Sequence, residues 1–234
     1  MSPPRRQSIN HHRFLLVVPL LLILSSAGYA AAAEAGSSHL ADLAKAVTLR
    51  VESRLCDGFG VGSSVALNAT TLVTNRHVVS ESRNLAVETS SGNGLAVVDV
   101  GESDLRDLGI ITLSSRTRKT VHLAKRDALS GDRVVIAGYP QGGAIRIVPG
   151  RVVDYVDGEP FGEPGKVMRS SAEAEPGNSG GPVLDQRGHV VGIVFSVELS
   201  TGETLAIPAS TIAKTLRTPS AFHSPASAPS CQRG

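Results

Sequence analysis

Apolar positions fall into short runs along most of the chain, and few of these runs keep a helical period. Ala41 to Arg54 begins with a short helical pattern and turns into a strand. β-type runs follow at Gly60–Leu67, Thr71–Thr74, Leu85–Glu88, Leu95–Val100 and Leu108–Leu113. A charged stretch, Arg116 to Arg126, interrupts them. A second series covers Arg133–Ala137, Ala144–Val148, Gly150–Val156, Val167–Ser170, Pro182–Leu184, His189–Phe195 and Glu203–Ile207. Turn residues such as Gly92-Asn93-Gly94 separate the runs. Short strands at regular spacing predict an all-β fold of the sandwich or barrel kind. Two barrels, about 47–115 and about 127–208, fit this layout. Helix is expected only at the ends, best at Ala209–Arg217. The tail, 218–234, is rich in Ser, Pro and Ala and carries Cys231.

The N-terminus reads as an address. Met1 to Arg13 is polar and basic, and Phe14 to Leu24 is apolar. That tract is only about half the length a membrane span needs. Small residues follow. Basic, apolar and small residues in that order predict a secretory signal over 1–33, cleaved after Ala30, Ala32 or Ala33. The alternative is a retained anchor. An N-terminal segment, 34–46, precedes a domain at 47–217, and a packed N-terminal helix is expected in Ala35–Arg54 rather than a short propeptide. Export gives the two cysteines a meaning: Cys56 and Cys231 are the only pair, and an oxidising compartment favours a disulfide over two unrelated thiols.

Composition narrows the classes. At 41% hydrophobic and 19% charged over 234 residues, the chain is too apolar to be disordered. Three of the 23 basic residues, Arg5, Arg6 and Arg13, lie in the expected signal; removing them leaves 20 against 21 acidic. A nearly neutral mature chain has no basic footprint for nucleic acid. No Cys/His cluster has metal-ligand spacing, so neither metal nor cofactor is expected.

Chemistry concentrates in three segments. Pro176-Gly177-Asn178-Ser179-Gly180-Gly181-Pro182 can expose a serine on a sharp turn, with backbone N–H groups free to approach a substrate. Thr74-Asn75-Arg76-His77-Val78-Val79 places a histidine directly after a β-type run. Asp107-Leu108-Gly109-Ile110-Ile111 places a carboxylate at the start of another. A serine hydroxyl is a weak nucleophile at neutral pH; it needs a base, and the base needs an acceptor to fix its tautomer. Ser179, His77 and Asp107 supply those parts. Asp104, three residues away, is a rival acid, but the apolar run starts at once after Asp107.

In these motifs the chain resembles the trypsin-like (chymotrypsin-fold) serine peptidases, in particular their bacterial HtrA-type branch. The resemblance runs from about Val47 to Arg217. It is carried by Gly60-Val61-Gly62-Ser63, the His77 segment, the Asp107 segment and Gly-Asn-Ser-Gly-Gly-Pro. Gly138-Tyr139-Pro140 and Leu205-Ala206-Ile207-Pro208 add to it. The resemblance implies two six-stranded antiparallel β-barrels with a short C-terminal helix, His77 and Asp107 in the first barrel and Ser179 in the second. It implies Ser179 as nucleophile, His77 as base, Asp107 as its orienting acid, and the N–H groups of Gly177 and Ser179 as the oxyanion hole. The primary pocket would be lined by Glu173 and Ala174, with Phe195, Ser196 and Val197 as a further wall. An unpaired buried carboxylate is costly, so Glu173 is expected to face solvent, favouring small or medium apolar side chains over Arg or Lys.

Some features depart from the family pattern. With 17 residues after Arg217, no PDZ domain is expected. Asn178 stands where the vertebrate digestive branch has an aspartate that pairs with a freed N-terminus. The cysteine pair is similar to that of the actinobacterial periplasmic acid-resistance proteases, whose multi-span membrane domain has no counterpart in this sequence. The resulting expectation is a secreted or periplasmic serine endopeptidase. It would be monomeric, without a stable membrane domain after signal cleavage, acting on protein or peptide substrates. The alternatives are a non-catalytic peptide-binding module on the same fold, an esterase and a structural barrel protein.

Overall fold

The computed structural model describes residues 38–56, 58–80 and 82–225. The expected signal and Cys231 lie outside the described residues. Residues 38–47 are helical (α1). Seven strands follow: β1 (Thr48–Arg54), β2 (Phe59–Ala66), β3 (Thr71–Thr74), β4 (Asn84–Glu88), β5 (Gly94–Leu95), β6 (Val97–Ser103) and β7 (Gly109–Leu113), with one helical turn, α2 (Arg76–Val79), after β3. The second series is β8 (Arg133–Gly138), β9 (Arg146–Asp157), β10 (Lys166–Ser170), β11 (Pro182–Asp185), β12 (Val190–Val197) and β13 (Thr204–Pro208). It is closed by α3 (Ala209–Leu216) and a two-residue strand, β14 (Phe222–His223).

The second series forms the expected closed six-stranded barrel, in the order β10-β13-β12-β11-β8-β9. The first series differs from a closed six-stranded barrel. It is an open sheet of eight strands, β14-β6-β7-β3-β2-β1-β4-β5. β6 spends its ladder on β7 and on the returning tail, where Phe222 faces Ser103. β14 covers only that end of β6, and a groove rather than a ladder separates the rest of it from β4. Two further differences are local. The runs expected at Ala144–Val148 and Gly150–Val156 merge into one strand, β9, from Arg146 to Asp157, because Pro149 sits opposite Val135 without breaking the register. The charged linker is also tied down. Thr117 and Val121 donate to the Ala69 and Ala66 carbonyls of the first sheet, and Ala124 donates to Val190 of the second barrel.

Burial explains why the strands of the second barrel read as nearly unbroken apolar runs. Val134 and Ile136 of β8 belong to the apolar core that also holds Met168, Val183 and Ala206. Val135 and Ala137 belong to a second core shared with Val65, Val73 and Leu108 of the first sheet and with Ile212 of α3. Alternate residues of one strand point to opposite faces, and both faces of β8 from Val134 to Gly138 are covered, so that stretch is apolar throughout. The first sheet has its own core of Leu49, Val51, Leu72, Val87, Ile111 and Leu113. Each fully buried Leu or Ile contributes about 1.5–3 kcal/mol. The shared core holds Val73 of β3 and Leu108, which sits between Asp107 and β7, against the barrel whose β11 follows Ser179.

Candidate active site

β3 delivers the histidine. Asn75 ends the strand in an extended conformation and His77 lies in the single turn α2. The Asn75 side chain does not cap that turn. Its Nδ2 instead donates to the Asp107 carbonyl at 2.8 Å. Asp107 sits two residues before β7 and meets His77 twice. Its Oδ1 accepts the His77 backbone N–H at 3.0 Å and its Oδ2 lies 2.7 Å from His77 Nδ1. The carboxylate is 13% exposed and the imidazole 49%. Fixing Nδ1 as the donor leaves Nε2 as an acceptor facing outward. Asp104 is turned away, 78% exposed and 3.3 Å from His223 Nδ1.

Ser179 reaches this region from the turn before β11. Its carbonyl accepts the Ser63 backbone N–H at 2.7 Å. Next to Ser63, a Cβ on Gly62 would lie 2.6 Å from Val78 Cγ1 and 3.2 Å from the Ser179 carbonyl oxygen. Gly62 therefore brings the neighbour of His77 and the Ser179 turn to within one side-chain width. No hydrogen bond joins the Ser179 hydroxyl to His77 among the described residues; such contacts are often loose until substrate arrives. A groove of about 380 Å³ opens beside His77, bordered by Ser53, Leu55 and Val61.

The turn before Ser179 is held from three sides. The Pro176 carbonyl accepts the Gln141 N–H at 2.7 Å, and Asn178 N–H donates to the Glu175 carbonyl at 3.0 Å. The buried Ser63 hydroxyl donates to the Gly177 carbonyl at 2.7 Å and accepts the Tyr139 N–H at 3.0 Å. In a planar trans peptide the C=O and N–H point in opposite directions. Holding the Pro176 carbonyl on Gln141 thus directs the Gly177 N–H the other way. The Gly177 and Ser179 N–H groups are without partners among the described residues, whereas that of Asn178 between them is used. Gly177 has φ +100°, and a Cβ there would lie 2.3 Å from the Tyr139 carbonyl. The arrangement needs glycine on both counts.

The first sheet also braces the loop that supplies Gln141, the one non-glycine residue with positive φ among the described residues. Arg50 of β1 donates to the Gly142 carbonyl at 2.9 Å and pairs with Glu88 at 2.7 Å. The Tyr139 hydroxyl donates to the Thr48 carbonyl, and burial pushes its pKa up to about 12.

Of the pocket residues expected from the sequence, Glu173 is exposed and Ala174 half-buried against the second barrel's core. Phe195 is packed into the core shared with the first sheet, so its side chain lines no open wall. Ser196 and Val197 end β12, half-buried. Cys56 is exposed in the β1–β2 turn. Glu163 is the residue sequence reasoning missed. It lies in an unremarkable turn of the second barrel, and its carboxylate accepts the Asp107 N–H at 2.8 Å. Among the described residues no three His, Cys, Asp or Glu side chains converge as metal ligands would.

The family model of the trypsin-like peptidase domain matches residues 60–193. The chain belongs to that family. Among curated relatives it is 29% identical over 165 residues to the serine protease Rv3671c of Mycobacterium tuberculosis, covering 68% of this chain and 41% of the relative. It is 35% identical over 151 residues to a probable periplasmic serine endoprotease, DegP-like, of Brucella suis, covering 60% and 29% respectively. The chain thus spans less than half the length of these relatives. The solved structure of the Rv3671c protease in its active form superposes with a TM-score of 0.71 at 24% identity, covering 82% of this chain and 88% of that one. An HtrA-type protease, AlgW, with a tripeptide gives 0.71 at 20% identity, covering 77% and 62%. At these identities the superpositions speak for the fold.

Proposed function

We propose that the protein is an exported serine endopeptidase acting through Ser179, His77 and Asp107. The observation that carries this reading is the double hold of Asp107 on His77, which leaves Nε2 as the acceptor of the imidazole. Ser179 Oγ attacks the peptide carbonyl carbon as its proton passes to His77 Nε2. The C–N bond breaks and the amine leaves with that proton. Water then attacks the acyl-enzyme, again giving its proton to His77, and the acid is released as Ser179 regains its hydrogen. The Gly177 and Ser179 N–H groups receive the oxyanion, each worth about 3 kcal/mol in the transition state. The exposure of Glu173 supports a preference for small or medium apolar side chains, and a peptide panel dominated by cleavage after Arg or Lys would refute it. The name of the Brucella relative, a probable periplasmic serine endoprotease, supports a place in the cell envelope, and the role proposed there is protein quality control or processing.

Covalent labelling with a fluorophosphonate probe tests the mechanism. Wild type should label and Ser179→Ala should not. A folded wild type that does not label would favour a peptide-binding module on the same fold.

The Cys56–Cys231 disulfide belongs to the same proposal. Pro225 lines a groove between β4 and β6 together with Arg83 and Asn84. Asn84 faces Arg54 in register, and Arg54 is two residues from Cys56. The six residues from Pro225 to Cys231 can span up to about 20 Å, which supports the reach. Alkylation of the unreduced, denatured chain should then find no free thiol.

A further inference from the structure

Glu163 is the largest polar side chain among the fully buried ones, at 1% exposure. A carboxylate taken out of water is strongly destabilised unless hydrogen bonds and opposite charge compensate it. This one also faces the like charge of Asp107. Its Oε2 accepts the Asp107 backbone N–H at 2.8 Å, and its Oε1 lies 3.5 Å from Arg106 Nη1. Arg106 Nη1 also donates to the Pro164 carbonyl. Two adjacent residues of the first sheet, 106 and 107, are thereby clasped by two adjacent residues of the second barrel, 163 and 164.

The clasp falls where ladder bonding is missing. β6 ends at Ser103 and β7 starts at Gly109, so Asp107 has no strand partner to orient it. Side chains take that place: Glu163 holds its N–H and Asn75 holds its carbonyl. Glu163 itself is presented by a tight turn. The Gly158 carbonyl accepts both the Phe161 and Glu163 N–H groups, and Gly158 N–H donates to the Gly165 carbonyl at 2.6 Å.

We propose that Glu163 is a positioning residue: from the second barrel it fixes the backbone of Asp107, so that the carboxylate beyond it meets His77 at both contacts. This rests on reading Asp107 as the acid of the triad. The hydrogen bond needs an oxygen acceptor on residue 163, and either protonation state supplies one. The role is therefore carried by the acceptor rather than by the charge.

The test is the rate of fluorophosphonate labelling at Ser179, measured as a double-mutant cycle. Glu163→Ala should slow labelling on the order of 10- to 100-fold, the scale of a misplaced catalytic group. In an Asp107→Ala background it should slow labelling no further. Glu163→Gln keeps an acceptor and should stay within a few-fold of wild type. Glu163→Leu fills the space without an acceptor and serves in place of the alanine variant if that chain does not fold. Equal slowing in both backgrounds means a merely structural role and overturns the proposal, as does a folded Glu163→Ala that labels at the wild-type rate. A wild type that does not label at all overturns the triad reading, and this proposal with it.

Discussion

Replacing Ser63 by alanine should injure stability and chemistry together, because one hydroxyl serves both. Ser63 Oγ is fully buried, donates to the Gly177 carbonyl at 2.7 Å and accepts the Tyr139 N–H at 3.0 Å. Removing it orphans a backbone acceptor and a backbone donor at once. The space left by one hydroxyl is less than a water needs, so solvent rescues neither group. Each lost buried bond costs about 1–1.5 kcal/mol, rising towards 3 where the partner stays unsatisfied. The expected loss is about 2–4 kcal/mol. In a domain of this size each kcal/mol lowers Tm by about 2–4 °C, so the midpoint should fall by about 5–15 °C. The same hydroxyl holds the peptide that follows Gly177, so labelling by a fluorophosphonate should also slow at temperatures where the variant is fully folded. Circular dichroism melts and labelling rates on one preparation check both. A Tm within about 2 °C of wild type together with an unchanged labelling rate would refute the reasoning.

Gly177→Ala places a Cβ 2.3 Å from the Tyr139 carbonyl at φ +100°, so the turn must rearrange. Labelling should fall by about 10²–10³, the cost of losing one oxyanion donor, and near-wild-type labelling would count against the assignment. Burial holds the Glu163 carboxyl above its ordinary value of 4.5, with the Asp107 N–H, Arg106 and Arg76 pulling it back and the Asp107 charge adding to the rise. The folded state therefore binds this proton more tightly than the unfolded chain. The stability so gained is full below 4.5 and is lost as pH rises through the higher folded value. Glu163→Gln does not titrate, so melts should show it gaining on wild type as pH rises through that window; a difference independent of pH contradicts the shift. Leu108→Ala, at a fully buried position in the core shared by sheet and barrel, should cost about 2–5 kcal/mol in urea unfolding. A loss under about 1 kcal/mol would mean that the site collapses without a cavity.

The sequence by itself determined the strand-rich architecture, because runs of four to eight residues rich in Val, Ile and Thr and bounded by turn signals are too short for helices and suit a pleated sheet. It also marked the residues proposed to carry the chemistry. Asn75 and Ser63 lay inside the recognised motifs, although their hydrogen bonds to Asp107 and Gly177 could not be read from spacing. Residues 144–156 read as two strands because Pro149 and Gly150 look like a break, and only pairing with β8 shows that the ladder tolerates them. The return of the tail onto β6 was likewise invisible, since a two-residue strand in a Ser/Pro-rich tail has no local signature. The tertiary structure alone decided the supports: Glu163 stands 56 positions from Asp107, Arg50 stands 92 from Gly142, and Gln141 fixes a peptide in another loop. Such contacts depend on how a sheet and a barrel pack across a shared core. Local sequence encodes the elements and their exposed chemistry, whereas the identity of a buried neighbour is settled only when the two surfaces meet.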